Sequence, residues 1–227
     1  MAKKNKVEET RTSIDNLNDK LTALPAKLKE SRKLITVTAI VAIVIIAAIL
    51  FYIFGVRQPA IAKSNDNIGQ ADIEYNVNGN DSLALNLYQQ SAKDGYAAGN
   101  RANLQAAILL YNNGDYAQAL EYVKDYSAKD DVVGAAAYSL EGDCYVNLDR
   151  FDDAVGAFKK AIKQSDENPY YTPLFMLKLA RVYEAQKKYA DAEKLYQEIM
   201  DDYPVYTTTI NPGVEKLLDR AKLLQQK

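Results

Sequence analysis

The sequence predicts an all-α protein: one N-terminal transmembrane helix, then an α-solenoid of about four helix pairs, then a capping helix. Three observations carry this expectation. An uncharged block of 21 residues runs from Leu34 to Phe54. A fixed pattern of small and large residues then recurs four times, its anchors spaced 35, 35 and 38 residues apart. A last apolar stripe of Val214, Leu217, Leu218, Ala221 and Leu224 stands opposite Glu215, Lys216, Asp219 and Arg220.

The uncharged block has the length of a membrane span. Twenty-one helical residues cover roughly 31 Å at about 1.5 Å each, and a hydrocarbon core is about 30 Å thick. A helix also satisfies its own backbone where lipid offers no hydrogen bonds. Arg32 and Lys33 abut one end, and Tyr52 and Arg57 mark the other. A buried core helix rarely runs this far without a charge. A cleaved signal peptide has a candidate site at Ala60-Ile61-Ala62, but the apolar run is too long and the leader too extended. A single-pass anchor is therefore expected, in contact with the bilayer through residues 34–54.

Charge sets the expected orientation. Residues 1–33 carry nine Lys/Arg and five Asp/Glu, whereas residues 55–227 carry nineteen and twenty-five. The basic side belongs in the cytoplasm, which places the acidic body across the membrane: the periplasm, for a bacterial inner (cytoplasmic) membrane. An acidic body disfavours nucleic acid, since phosphate contacts from Lys and Arg dominate such binding. In the basic tail, Val7, Ile14, Leu17, Leu21, Leu24 and Leu28 form a stripe that Pro25 interrupts. An amphipathic helix on the inner leaflet, a coiled coil and a disordered tail all fit that stripe.

The four repeats align on Asp81-Ser-Leu-Ala84, Tyr116-Ala-Gln-Ala119, Phe151-Asp-Asp-Ala154 and Tyr189-Ala-Asp-Ala192. Four residues past each Ala stands a large side chain: Tyr88, Val123, Phe158, Tyr196. Nine before each anchor stand Asp72, Ala107, Gly142 and Ala180. The third unit reads Tyr138-x2-Glu141-Gly142-x2-Tyr145, then Ala154-x3-Phe158-x2-Ala161; the fourth reads Met176-x2-Leu179-Ala180-x2-Tyr183, then Ala192-x3-Tyr196, then Pro204. These residues resemble the tetratricopeptide repeat, a 34-residue helix–turn–helix unit, over residues 62–204. Asp72 in the small slot of unit one and Asn103 in the aromatic slot of unit two depart from the pattern. Where paired helices cross closest only Gly or Ala fits, and large neighbours fill the gaps. A single pair cannot bury its apolar face, so pairs stack.

The domains read as 1–33 basic tail, 34–54 membrane helix, 55–61 joint, 62–204 tetratricopeptide repeats and 205–227 capping helix. Pro59 is expected to break the membrane helix from the first repeat helix. Asn211-Pro212 is expected to open a cap helix of about 14 residues, and Val205 to Ile210 reads briefly as a strand.

The resemblance implies that the first helices line a concave groove. By register its positions are Leu104, Ile108 and Tyr111 in unit two, Ser139, Asp143 and Val146 in unit three, and Leu177, Arg181 and Glu184 in unit four. That mixed surface suits a peptide or helix laid in a groove. Repeat proteins that clamp a C-terminal carboxylate use Lys and Asn there, and these residues do not match. Tyr170 and Tyr171 in the long loop, and Tyr206 before the cap, are candidate loop contacts, against a reading as plain loop packing.

Catalysis has no support. No His exists for metal, triad or acid–base work, and the lone Cys144 precludes an intrachain disulfide or a Cys cluster. Cys144 reads as packing. No phosphate loop, nucleotide motif or nucleophile elbow occurs, so no cofactor and no small-molecule substrate is expected. The layout, one anchor then a short repeat stack, resembles the bacterial ancillary SecYEG translocon subunit family. That resemblance implies a scaffold with periplasmic repeats, its partners exported chains, chaperones or translocon components. The rival expectations are an organelle import receptor with cytosolic repeats, a regulator acting through its cytoplasmic helix, and a cell-envelope enzyme.

Overall fold

The computed structural model describes residues 32, 34–94 and 96–226. The stripe Val7 to Leu28 lies outside the described residues. Two compact units divide at Pro59 and Ala60. Nine helices and no strands occur among the described residues.

Helix α1 runs Leu34–Asn78, 45 residues, and is long and apolar enough to cross a membrane. Residues 34–52 are all exposed. The break expected at Pro59 is absent: residues 55–61, where the two units divide, are helical. The turn Tyr52–Arg57 widens to a π-helix, and the Gln58 N–H reaches five residues back to the Ile53 carbonyl. Proline lacks an N–H and clashes with the carbonyl four residues earlier; a widened turn absorbs both defects without ending the helix.

The second unit holds α1 from Ala60 onward and α2 (Asp81–Lys93), α3 (Ala97–Asn112), α4 (Tyr116–Asp125), α5 (Val133–Asn147), α6 (Phe151–Gln164), α7 (Tyr171–Ala185), α8 (Tyr189–Asp202) and α9 (Val214–Gln225). Each helix packs on the next, giving the pairs α1–α2, α3–α4, α5–α6 and α7–α8, with α9 closing on α8. The expected solenoid of four pairs and a cap is therefore the observed one.

The small slots sit where predicted. Ala84, Ala107, Ala119, Ala154, Ala180 and Ala192 are fully buried. Gly142 shows why: a Cβ there would lie 2.7 Å from the Phe158 ring. Cys144 is fully buried, and burial pushes its thiol up to about 12.

Each pair turns through one left-handed residue two before its anchor: Gly79, Gly114, Asp149 and Lys187. Glycine fits that backbone without steric cost, whereas Asp149 and Lys187 are strained there. Asn80 and Asp115 then cap α2 and α4, their side chains accepting from the Leu83 and Gln118 N–H groups. Arg150 and Lys188 occupy the same slot and offer no such bond.

Two expectations near the C-terminus need correction. Tyr206–Ile210 is a π-helical turn, not a strand. Two threonines there bond back to the Pro204 carbonyl, which holds the chain coiled. Asn211 does not cap α9: its side chain accepts from the Gly213 N–H across a turn, and the helix begins at Val214 and runs 12 residues.

Candidate functional site: the face of the first helices

The first helices are the C-terminal part of α1, then α3, α5 and α7. One slot, eight residues before each anchor, carries Ile73, Ile108, Asp143 and Arg181 in turn. Ile73 is 54% exposed and Ile108 half-buried. On α3, Leu104 packs against the central core while Tyr111 sets its ring edge-on to Tyr116, centroids 5.2 Å apart. Burial and the neighbouring Asp143 raise the Tyr111 hydroxyl above its ordinary range.

Along this face each helix reaches back to its predecessor through one polar side chain. Arg101 on α3 donates to both carboxylate oxygens of Asp72, at 3.0 and 2.7 Å. Asn147 on α5 donates to the Tyr111 hydroxyl at 3.3 Å. Lys178 on α7 donates to the Ser139 hydroxyl at 3.0 Å and pairs with Asp143. Arg220 on α9 pairs with Glu184. The cap thus binds α7 as one first helix binds another. Asp143 is raised by burial, a shift its neighbour Lys178 opposes.

The structure places the predicted groove residues unevenly. Leu104, Ile108, Tyr111, Asp143, Val146 and Glu184 are half-buried and Arg181 is exposed, so these reach the face. Ser139 and Leu177 are buried, at 3% and 4% exposure, and are not surface. Helix α7 packs between α6 and α8, and Leu177 lies in the buried cluster that also holds Tyr196, Val214 and Leu218. Lys178 closes over Ser139.

Among the loop candidates, Tyr170 is exposed, Tyr171 is half-buried and stacked on Phe175, and Tyr206 is core. Tyr206 packs in the cluster that holds Val214 and Leu218, because the π turn folds its ring inward. The expectation of a Tyr206 surface contact is therefore withdrawn.

Sequence reasoning missed Arg101, Asn147, Lys178 and Arg220. They fall in different slots of their repeats, so no period marks them. Asp72 was visible only as a misfit, and the misfit has a use: it accepts from Tyr88 at 2.6 Å as well as from Arg101. That carboxylate, with burial as the larger cause, drives the Tyr88 hydroxyl far above its ordinary range.

Among the described residues no group of acids and Cys is arranged to hold a metal. A cavity of about 660 Å³ opens between α6, α7 and α8, floored by Ile162, Met176 and Tyr203. Its rim carries Asp166, Glu167, Glu198 and Asp202. No nucleophile paired with a base lies in it.

The geometry is that of a helical-repeat interaction fold, and comparison with known proteins sharpens the class. The tetratricopeptide repeat family model matches residues 104–171 and 140–206. Those residues match tetratricopeptide repeats, a solenoid class whose stacked helix pairs present extended binding surfaces. Comparison with the curated proteins gives no significant match. Among solved structures, the chain is similar to MamA protein, at 18% identity, TM-score 0.54, covering 72% of this chain and 88% of that one. It is also similar to a putative kinesin light chain from Podosopora anserina with nearly identical repeats, at 16% identity, TM-score 0.56, covering 71% and 86%. The C-terminal part of a repeat protein from Cytophaga hutchinsonii matches at 19% identity, TM-score 0.51, covering 71% and 67%. At these identities the likeness is one of fold.

Proposed function

We propose that this protein is a membrane-anchored scaffold whose repeats bind other proteins on the extracytoplasmic side, in a bacterium the periplasm, near the site of protein export. The observation that carries the anchor is the uncharged 34–54 segment, helical throughout and exposed at every residue but Ile53. A rod of apolar side chains left open to water would cost about 25 cal/mol for every Å² of surface, so it belongs in lipid. Lys/Arg asymmetry supports the N-in orientation. The face of the first helices, with Ile108, Tyr111 and Arg181 accessible, supplies the binding surface. Assistance to exported chains, chaperones or the translocon rests on the resemblance in layout to the ancillary translocon subunits.

A cysteine-labelling experiment tests the topology. Gly156→Cys, with Cys144 buried and silent, puts a thiol at an exposed position of α6 with open space around it. A membrane-impermeant maleimide applied to intact cells is expected to label it. Labelling only after the cells are opened would place the repeats in the cytoplasm and favour the import-receptor or cytoplasmic-regulator readings.

A further inference from the structure

The first-helix face changes character halfway along. At one slot the order is Ile73, Ile108, Asp143, Arg181. Around the first two stand Val77, exposed, and Leu104 and Tyr111, half-buried. Around the last two stand three cations, Lys178, Arg181 and Arg220, and two carboxylates, Asp143 and Glu184.

Exposure decides which charge a visitor meets. The Arg220 side chain is 55% exposed and its partner Glu184 only 12%. Arg181 is exposed and has no ion-pair partner among the described residues. Each carboxylate is less exposed than the cation it meets and is paired through one oxygen, while guanidinium groups front the solvent. This is a cationic end on a body that carries six more acidic than basic side chains. The acidic rim of the α6–α8 cavity lies elsewhere.

We propose that this face takes an amphipathic polypeptide segment in one orientation, its apolar side chains on α1 and α3 and its Asp/Glu-bearing end on Arg181 and Arg220. The proposal rests on the reading of this face as the binding surface and adds the chemistry of the partner. Apolar contact supplies sequence-tolerant affinity, as export clients require. Guanidinium groups accept planar carboxylates through two parallel N–H donors and reject lysine-rich segments by like charge. The single direction follows from the two ends being unlike.

Two synthetic 20-residue amphipathic peptides test it, alike in their Leu face and differing in having Glu or Lys at one end. Fluorescence anisotropy uses the full-length protein in detergent micelles. The Glu peptide should bind about tenfold more tightly than its Lys twin, a preference that shrinks as salt screens it. Arg181→Glu should abolish the preference and Arg181→Lys retain most of it. Ile108→Ser should weaken both peptides alike. A photoreactive group at the Glu end should label α7, and one at the apolar end α3. Equal binding of the twins, a preference untouched by Arg181→Glu, reversed labelling, or no binding by either peptide overturns the proposal. The reading beneath it fails separately, if a cross-linker at 108 captures no protein in intact membranes.

Discussion

The first two helix pairs and the last two reach the same architecture by different means. The α5–α6 and α7–α8 pairs rely on close packing: Gly142 against Phe158, and fully buried Ala180, Ala192 and Tyr196. Their turns are poor, with Asp149 and Lys187 in left-handed backbone and Arg150 and Lys188 where a cap should be. The α1–α2 and α3–α4 pairs invert this. Their packing pattern is degraded, but their turns carry Gly79 with Asn80 and Gly114 with Asp115. Polar ties replace the missing fit. Asp72 binds Tyr88 and Arg101, and the Ser91 hydroxyl donates to the Ser64 carbonyl at 3.0 Å. Asn100 exchanges two bonds with the Ser127 backbone. A repeat fold tolerates loss of its consensus at one level when another level supplies the constraint.

Substitutions can break that contrast, beginning with the packed half. Gly142→Leu forces a side chain into the Phe158 ring and should cost about 2–3 kcal/mol. The Tm, followed by circular dichroism, should fall by about 5–10 °C. An unchanged Tm would mean that close approach does not hold α5 on α6. In the polar half, Asp72→Ala strands the buried Tyr88 hydroxyl and frees Arg101. Part of that pairing is solvent-screened, which leaves about 1–2 kcal/mol. Hydrogen exchange should quicken in residues 60–112 and stay slow in α5 to α8, because repeat stacks transmit stability mainly to neighbours. Uniform quickening would contradict the division.

Turn substitutions sharpen the contrast from the other side. Asp115→Ala removes a helix cap and should cost about 1 kcal/mol. Lys187→Gly relieves left-handed strain and should stabilise by about 0.5–1 kcal/mol. A destabilised Lys187→Gly protein would show that the Lys187 backbone is not strained.

The smallest effect concerns acid. Asp130 stands before α5 and accepts from the backbone N–H groups of Val132, Val133 and Gly134. Slight burial raises its carboxyl, but these three bonds outweigh that and hold it below its ordinary value of 3.8. A depressed carboxylate contributes stability above its unfolded value and loses it as pH falls through the folded one. Asp130→Asn should therefore melt below the parent at neutral pH, with the gap closing under about pH 4. A gap that is constant with pH would refute the assignment.

The architecture was legible because its causes are local or periodic. Small slots recur at 142, 180, 154 and 192 because closest approach recurs, and the uncharged block is a matter of composition. What escaped detection is neither local nor periodic. The helix through Pro59 depends on a widened turn that no residue announces. The placement of Ser139, Leu177 and Tyr206 depends on how much of each helix its neighbours cover. Register names a face but not its depth. The ties from Arg101, Asn147, Lys178 and Arg220 join residues 29 to 39 positions apart in unmatched slots, so only the folded chain reveals them.

The claim on which the account turns is that proteins bind the face of the first helices. A photo-cross-linking residue placed at 108, and separately at 156 on a second helix, reads this directly in intact membranes. The account predicts protein adducts from 108 and few from 156. Adducts from 156 with none from 108 would contradict it.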